Sequence, residues 1–185
     1  MSKPELTKQL IAQTLKRLMK NTPLDKISIQ DIVRECGLNR KTFYYHFQDK
    51  QALISWIFET EFGSLKDLNQ DNTIIDELIE HLYENKDFYV AVFNSDIQNN
   101  LREHIFKIAY NSFTSKVLAM IGNRRMEPED IEMISNYFSN AVLGSITQWA
   151  REGMKTPLDE YIHNFYRITD ECLTFIIDKY AKKHN

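Results

Sequence analysis

Residues 28–50 read Ser-Ile-Gln-Asp-Ile-Val-Arg-Glu-Cys-Gly-Leu-Asn-Arg-Lys-Thr-Phe-Tyr-Tyr-His-Phe-Gln-Asp-Lys. This stretch predicts two short helices hinged on Cys36-Gly37-Leu38. Ser28, followed three residues later by Asp31, can cap the first helix, although Asp is a weaker capping-box partner than Glu or Gln. Ile29, Ile32 and Val33 recur at spacings of three and four and form one apolar stripe. Gly37 ends that helix, because glycine enters the left-handed backbone region without steric penalty. Leu38 can plug the angle, Asn39 caps the second helix, and that helix begins at Arg40. At about 100° per residue, Phe43 and Phe47 share one face. Lys41, Thr42, Tyr44 and Tyr45 surround the other, with Arg40 and His46 flanking.

The outer face is chemically suited to nucleic acid. Arg and Lys can bond guanine edges or phosphates, Thr and Tyr offer hydroxyls, and His can donate to either. An ordinary helical hairpin with a polar outer face is the competing reading. Charge distribution favours the first. Residues 1–58 hold ten Lys/Arg against five acids, a charge of +5, so the remainder carries −8 within a total of −3. A basic head attracts phosphate while an acidic body is repelled by it.

Residues 7–58 resemble the N-terminal DNA-binding domain of the TetR family of bacterial transcriptional regulators. The resemblance rests on an amphipathic first helix (Leu10, Ile11, Leu15, Leu18, Met19), then Leu24, Ile27, Ile29, Ile32, Val33 and Gly37. Its most specific part is Thr42-Phe43-Tyr44-Tyr45-His46-Phe47-Gln48-Asp49-Lys50, with Leu53 beyond. The resemblance implies that Thr42, Tyr44 and His46 contact DNA and that Lys50 opens a fourth helix and grips a phosphate. Asp49 can cap that helix, but a lysine at a positive helix terminus is unfavourable unless a phosphate lies nearby. The expected DNA-binding set is Ser28, Asn39, Arg40, Lys41, Thr42, Tyr44, Tyr45, His46 and Lys50.

With 185 residues, 43% of them apolar, and only five Gly and four Pro, the chain can bury a core and favours helices. The expectation is an all-α protein of about nine helices. Residues 1–58 would form a three-helix helix-turn-helix domain, and 59–185 a helical effector-binding and dimerisation domain, joined by a continuous helix from near Asp49 through Phe62. Cys36 and Cys172 stand far apart, which argues against a disulfide framework. Neither a signal peptide nor an apolar run near ~18 residues is evident, so a soluble cytoplasmic protein is expected.

Further along, Asn69 to Thr73 reads as a loop, with Asn72 or Thr73 capping the next helix. An aromatic helix follows over Asp87 to Asn94, and a longer one from about Ile97 to Ile121. The last two run from near Pro128 to Glu152, and from a Thr156 cap with Pro157 first to about Lys182. Both are apolar on more than one face. Phe138, Val142, Ile146 and Trp149 on one, with Phe165, Ile168, Cys172 and Phe175 on the other, are expected to build a homodimer interface. A four-helix bundle of this kind is also what the family resemblance implies. Two recognition helices about one or more DNA turns (~34–36 Å) apart would then read a near-palindromic double-stranded operator.

The resemblance further implies a small-molecule effector bound within the body. His81, Phe88, Phe106, Tyr110, Phe113 and Tyr137 are candidate contacts, although aromatics at helical spacing are more often plain core. No metal is expected, since His81, His104, His163, His184 and Cys172 are scattered rather than paired at ligand spacing. No cofactor motif, catalytic triad or paired carboxylate stands out, so an enzyme is not expected. The alternative to a DNA-reading regulator is an interaction adaptor that keeps the fold without reading DNA. Residues 137–153 resemble a Firmicutes branch of the family that includes regulators linked to dihydroxyacetone kinase operons.

Overall fold

The computed structural model describes residues 2–66 and 74–181. Among these residues the structure has nine α-helices and no strand. Helix α1 (Lys3–Met19) starts in a capping box of Ser2 with Glu5 and buries Ile11, Ala12 and Leu15. A 3-10 turn (Leu24–Lys26) leads to α2 (Ile29–Glu35) and α3 (Arg40–His46). Phe43 and Phe47 are buried beneath α3, together with Ile32 and Val33 of α2. Phe47 caps α3 from outside, with extended backbone, rather than continuing the helix.

The hinge has a definable geometry. Gly37 lies at φ +68°. Its N–H donates to the Arg34 carbonyl at 3.3 Å, and that of Leu38 to the Val33 carbonyl at 2.8 Å. These two bonds close the end of α2 in a Schellman motif. The same device recurs where Gly153 and Met154 bond back to Ala150 and Trp149. Met154 adopts φ +50° there, a strained setting for a non-glycine residue, and its side chain is only 2% exposed. Burial of the thioether offsets the backbone cost.

Helix α4 (Lys50–Lys66) starts where Asp49 Oδ1 accepts from the Ala52 N–H at 2.8 Å. It then carries Ile57, Phe58 and Phe62 into the core of the body. The body comprises α5 (Ile74–Glu84), α6 (Lys86–Phe93), α7 (Asn99–Ile121), α8 (Pro128–Arg151) and α9 (Leu158–Tyr180). Helices α7 and α8 form its most extensive pairing, and α4 packs on α7. Pro157 is the cap of α9 rather than its first residue, displacing the expected Thr156 cap by one position. The Thr156 carbonyl instead accepts from the Trp149 indole at 3.1 Å. Trp149 lies between two parallel tyrosine rings, Tyr83 at 5.5 Å and Tyr161 at 4.0 Å, which ties α5, α8 and α9 together. The loop expected at Asn69 to Thr73, its cap and the extension of the last helix to Lys182 lie outside the described residues.

The dimer-face expectation needs correction. Phe138, Val142, Ile146 and Trp149 are at most 4% exposed and belong to the core of the single chain. Phe113 stacks on Phe138 at 5.5 Å, so α7 already covers that stripe. Phe165 is half-buried, whereas Ile168, Cys172 and Phe175 do face outward. The outward face of α8 carries Met133 and Tyr137 instead.

Candidate nucleic-acid interface

Helix α3 is fixed from below and prepared above. The buried Phe43 anchors it, and Asn39 Oδ1 accepts from the Thr42 N–H at 2.9 Å and the Thr42 hydroxyl at 3.2 Å. Thr42 is therefore half-buried and already engaged by its own cap. On the open side stand Arg40, Lys41, Tyr44 and Tyr45, all exposed. Tyr45 is 79% exposed, an unusual setting for a large aromatic ring that has no solubility role. Arg40 donates to the Tyr44 hydroxyl at 3.2 Å, and its guanidinium lies 5.7 Å from the ring. That contact pre-orders a planar, permanently charged donor beside a phenol.

Two expected residues play more mixed parts. His46 turns toward α1, where burial and the Lys8 ammonium both push its pKa below the ordinary 6.5. It is therefore a neutral hydrogen-bonding ring at pH 7, and the Tyr45 ring meets it edge-on at 4.9 Å. Lys50 reaches back across the head and donates to the Ile27 carbonyl at 2.6 Å and the Leu24 carbonyl at 3.0 Å. These bonds resolve the conflict between a lysine and a positive helix terminus, because the ammonium spends its charge on carbonyls. Partial burial depresses its pKa, while Asp25 pulls the other way.

Ser28 closes the capping box with Asp31. Its hydroxyl lies 2.6 Å from Asp31 Oδ2 and accepts from the Asp31 N–H at 3.1 Å. Hydrogen bonds from Ser28 hold the Asp31 carboxyl below its usual range. Ser28, Arg40 and Lys50 share a cleft with Lys26 and Gln30, two residues that the sequence reading did not single out. Gln30 follows the capping serine by two positions on the same exposed side. That offset from a recognised helix start is the signal that could have found it.

The six candidate effector contacts do not converge. His81 Nε2 lies 2.8 Å from the Tyr89 hydroxyl within a buried cluster that includes Phe58 and Phe62. Phe88 lies under the Lys16 ammonium, and Phe106 stacks with Tyr110 along α7. Phe113 belongs to the α7–α8 core, while Tyr137 is 68% exposed on the outside of α8. Their separation follows from the wide apolar faces of these helices, which scatter aromatics around each axis.

A capped recognition-type helix on a helical body defines the class: a helix-turn-helix regulator with a separate C-terminal module. The description "Bacterial regulatory proteins, tetR family" matches residues 11–55, and "Transcriptional regulator C-terminal region" matches residues 71–171. The chain belongs to the TetR family and is a transcriptional regulator rather than an enzyme. It is 36% identical over 123 residues to the HTH-type dhaKLM operon transcriptional activator DhaS of Lactococcus lactis subsp. lactis (strain IL1403), covering 64% of each chain. The HTH-type transcriptional regulator EthR of Mycolicibacterium smegmatis is 29% identical over 105 residues, 57% of this chain and 40% of that protein. The chain thus spans less than two thirds of the length of either relative.

Among solved structures, the dihydroxyacetone kinase operon activator DhaS superposes with a TM-score of 0.66 at 24% identity. That match covers 95% of this chain and 98% of the other. NalD, the secondary repressor of MexAB-OprM in Pseudomonas aeruginosa, gives 0.60 at 15% identity, over 92% and 96% of the two chains. At these identities the superpositions establish the fold alone. No helix among the described residues is long and apolar enough to cross a membrane.

Proposed function

We propose that the chain is a homodimeric, sequence-specific DNA-binding regulator whose operator affinity is set by a small-molecule effector. The observation that carries the DNA-reading part is the outer face of α3. Arg40, Lys41, Tyr44 and Tyr45 point to solvent from a helix held by its own cap and by Phe43. Tyr45 and Lys41 are assigned to base or phosphate contact, Arg40 and Tyr44 act as one pre-ordered unit, and Ser28 and Asn39 position the two helices. Thr42 and His46 contribute at the edges of the contact.

Pairing is assigned to the outward faces of α8 and α9. Met133 and Tyr137 are four residues apart on α8, and Ile168, Cys172 and Phe175 share one side of α9. Met133, Tyr137, Ile168 and Phe175 are each 59% exposed or more, an apolar concentration that a chain working alone has little reason to show. Two copies meeting there would present two α3 helices to one near-palindromic operator. Control is assigned to α4, which belongs to both head and body. An effector preferring one setting of α4 by ~100-fold would shift the equilibrium by roughly 2.7 kcal/mol.

The test is titration against double-stranded DNA from upstream of the chain's own gene at several salt concentrations. A regulator binds it in preference to unrelated DNA with a steep negative salt slope, about −0.9 per neutralised phosphate. An adaptor that keeps the fold without reading DNA shows neither property.

A further inference from the structure

Where the end of α6, the start of α7 and the end of α8 meet, two arginines stand together without an acid partner. Gln98, the cap of α7, and Arg102 are four residues apart, as are Thr147 and Arg151 near the end of α8. The two helices are cross-bonded there in antiparallel register. Arg102 Nη1 donates to the Thr147 hydroxyl at 3.0 Å, and Arg151 Nη2 donates to the Gln98 side-chain oxygen at 3.0 Å. Gln98 Nε2 in turn donates to the Phe93 carbonyl at 3.2 Å, which also accepts from Arg151 Nε at 3.4 Å. This framework puts the two guanidinium groups on neighbouring rungs of the α7–α8 seam, separated by about 6 Å of helical rise.

Each guanidinium carries five N–H donors and a permanent charge. Arg102 uses one donor and Arg151 two, all on neutral oxygens, and among the described residues no carboxylate lies within ion-pair distance of either. Other cations of the body are paired: Lys116 and Arg124 meet Asp170 and Asp178 of α9 at 2.6 and 2.7 Å. Glu152, adjacent to Arg151 in the chain, accepts from the Gln148 amide instead. The bond to the Phe93 carbonyl accounts for Arg151 as a cation at the negative end of α6. It does not account for a second guanidinium on the next rung, where like charges repel. The pair opens to solvent, since Arg151 is exposed and Arg102 half-buried. A tetrahedral phosphate can accept from both groups across such a gap, whereas a planar carboxylate is matched by the fork of one guanidinium.

We propose that Arg102 and Arg151 bind the dianionic phosphate group of a small molecule at the α6–α7–α8 corner. The site rests on the reading that an effector controls this regulator, and it gives that effector a phosphate. The first turns of α7 connect the corner to the head. Two positions beyond Arg102, His104 Nε2 lies 3.2 Å from Glu59 Oε1 of α4, and its ring lies 6.1 Å from that of Phe58. An anion that draws Arg102 and Arg151 together thus acts on the helix that carries α4's partner.

Binding is read without DNA, so a negative result strikes this site and leaves both the operator assignment and the effector reading standing. Inorganic phosphate and ribose 5-phosphate are titrated into the full-length protein at pH 7.5, with sodium chloride at equal ionic strength as the control, and followed by ¹H–¹⁵N NMR. Both should shift the backbone amides of residues 98–102 and 147–151 saturably, and chloride should not. Dimethyl phosphate, a singly charged diester like the DNA backbone, should bind at least tenfold more weakly. Arg102→Gln keeps a donor for Thr147 but removes the charge, and should weaken phosphate binding about tenfold or more with native helix content. Arg151→Gln, at the exposed position, should do the same and serves if Arg102→Gln does not fold. The proposal is overturned if phosphate shifts these amides no more than chloride does, if dimethyl phosphate binds as tightly as the monoester, or if the folded variants bind phosphate as the wild type does.

Discussion

At the scale of single residues, Lys50 separates what local sequence can convey from what it cannot. Its place at the start of α4 follows from the Asp49 cap, but its carbonyl partners lie 23 and 26 positions earlier, beyond any local pattern. Replacing Lys50 with Ala removes two charge-assisted bonds from a half-buried site. The expected loss is about 1–3 kcal/mol of folding stability, read as a lower unfolding midpoint in urea. Lys41→Ala, on an exposed position, should leave that midpoint unchanged and make the salt slope of DNA binding shallower by about 0.9. If the two variants exchanged phenotypes, the division between structural and phosphate-facing lysine would be wrong. His81 makes a second residue-level prediction. Burial beside Phe58, Phe62 and Tyr89 lowers its pKa from 6.5. The unfolded chain therefore takes up a proton at a higher pH than the folded one, and stability falls as pH drops below about 6.5. His81→Gln keeps a donor for Tyr89 but does not titrate. Thermal unfolding from about pH 8 to about pH 5 should show a flatter acid decline in that variant.

At the scale of elements, the caps and turn of the helix-turn-helix were readable because each is settled within five or six consecutive residues, whereas the cap of the last helix fell one residue later than expected. Ser28 with Asp31, Asn39 and Gly37 all occur as expected, and the Schellman bonds at the hinge explain why glycine is needed there. A Cβ added to Gly37 would meet nothing within 4 Å, so the cost of Gly37→Ala is conformational, about 1–2 kcal/mol. Gly144, inside α8, also has open space around it. Gly144→Ala should raise monomer stability by about 0.5–1 kcal/mol, since alanine favours a helix interior. Chemical denaturation of both variants should therefore give shifts of opposite sign. Face assignment was less readable. Period 3.6 tells that Phe138, Val142, Ile146 and Trp149 share a stripe, but not which neighbour covers it. In this fold α7 supplies the cover, because Phe113 reaches Phe138. The aromatic candidates for an effector pocket failed to gather for a related reason: α7 alone distributes Phe106, Tyr110 and Phe113 between its half-buried and buried sides.

At the scale of the whole molecule, the contrast between the basic head and the acidic body was visible from residue counts alone, whereas quaternary structure depends on surfaces that only packing reveals. Phe175→Glu places a charge in the middle of the outward α9 face, where the side chain is 68% exposed in the single chain. Sedimentation velocity should show the variant sedimenting as one chain, with near-native helix content by circular dichroism and with specific operator binding lost. A dimer that persists would remove this face from the pairing assignment. Helix α4 has a consequence for engineering. One end is fastened in the head through Asp49 and Lys50, and the other is packed in the body through Phe58 and Phe62. Because each α-helical residue adds about 100° of rotation and 1.5 Å of rise, inserting a single amino acid midway would swing the N-terminal helical unit more than a quarter-turn. Grafting a foreign head onto this body is thus a problem of helical phase, in which a splice of the right length but the wrong angle yields two well-folded halves aimed past each other's target.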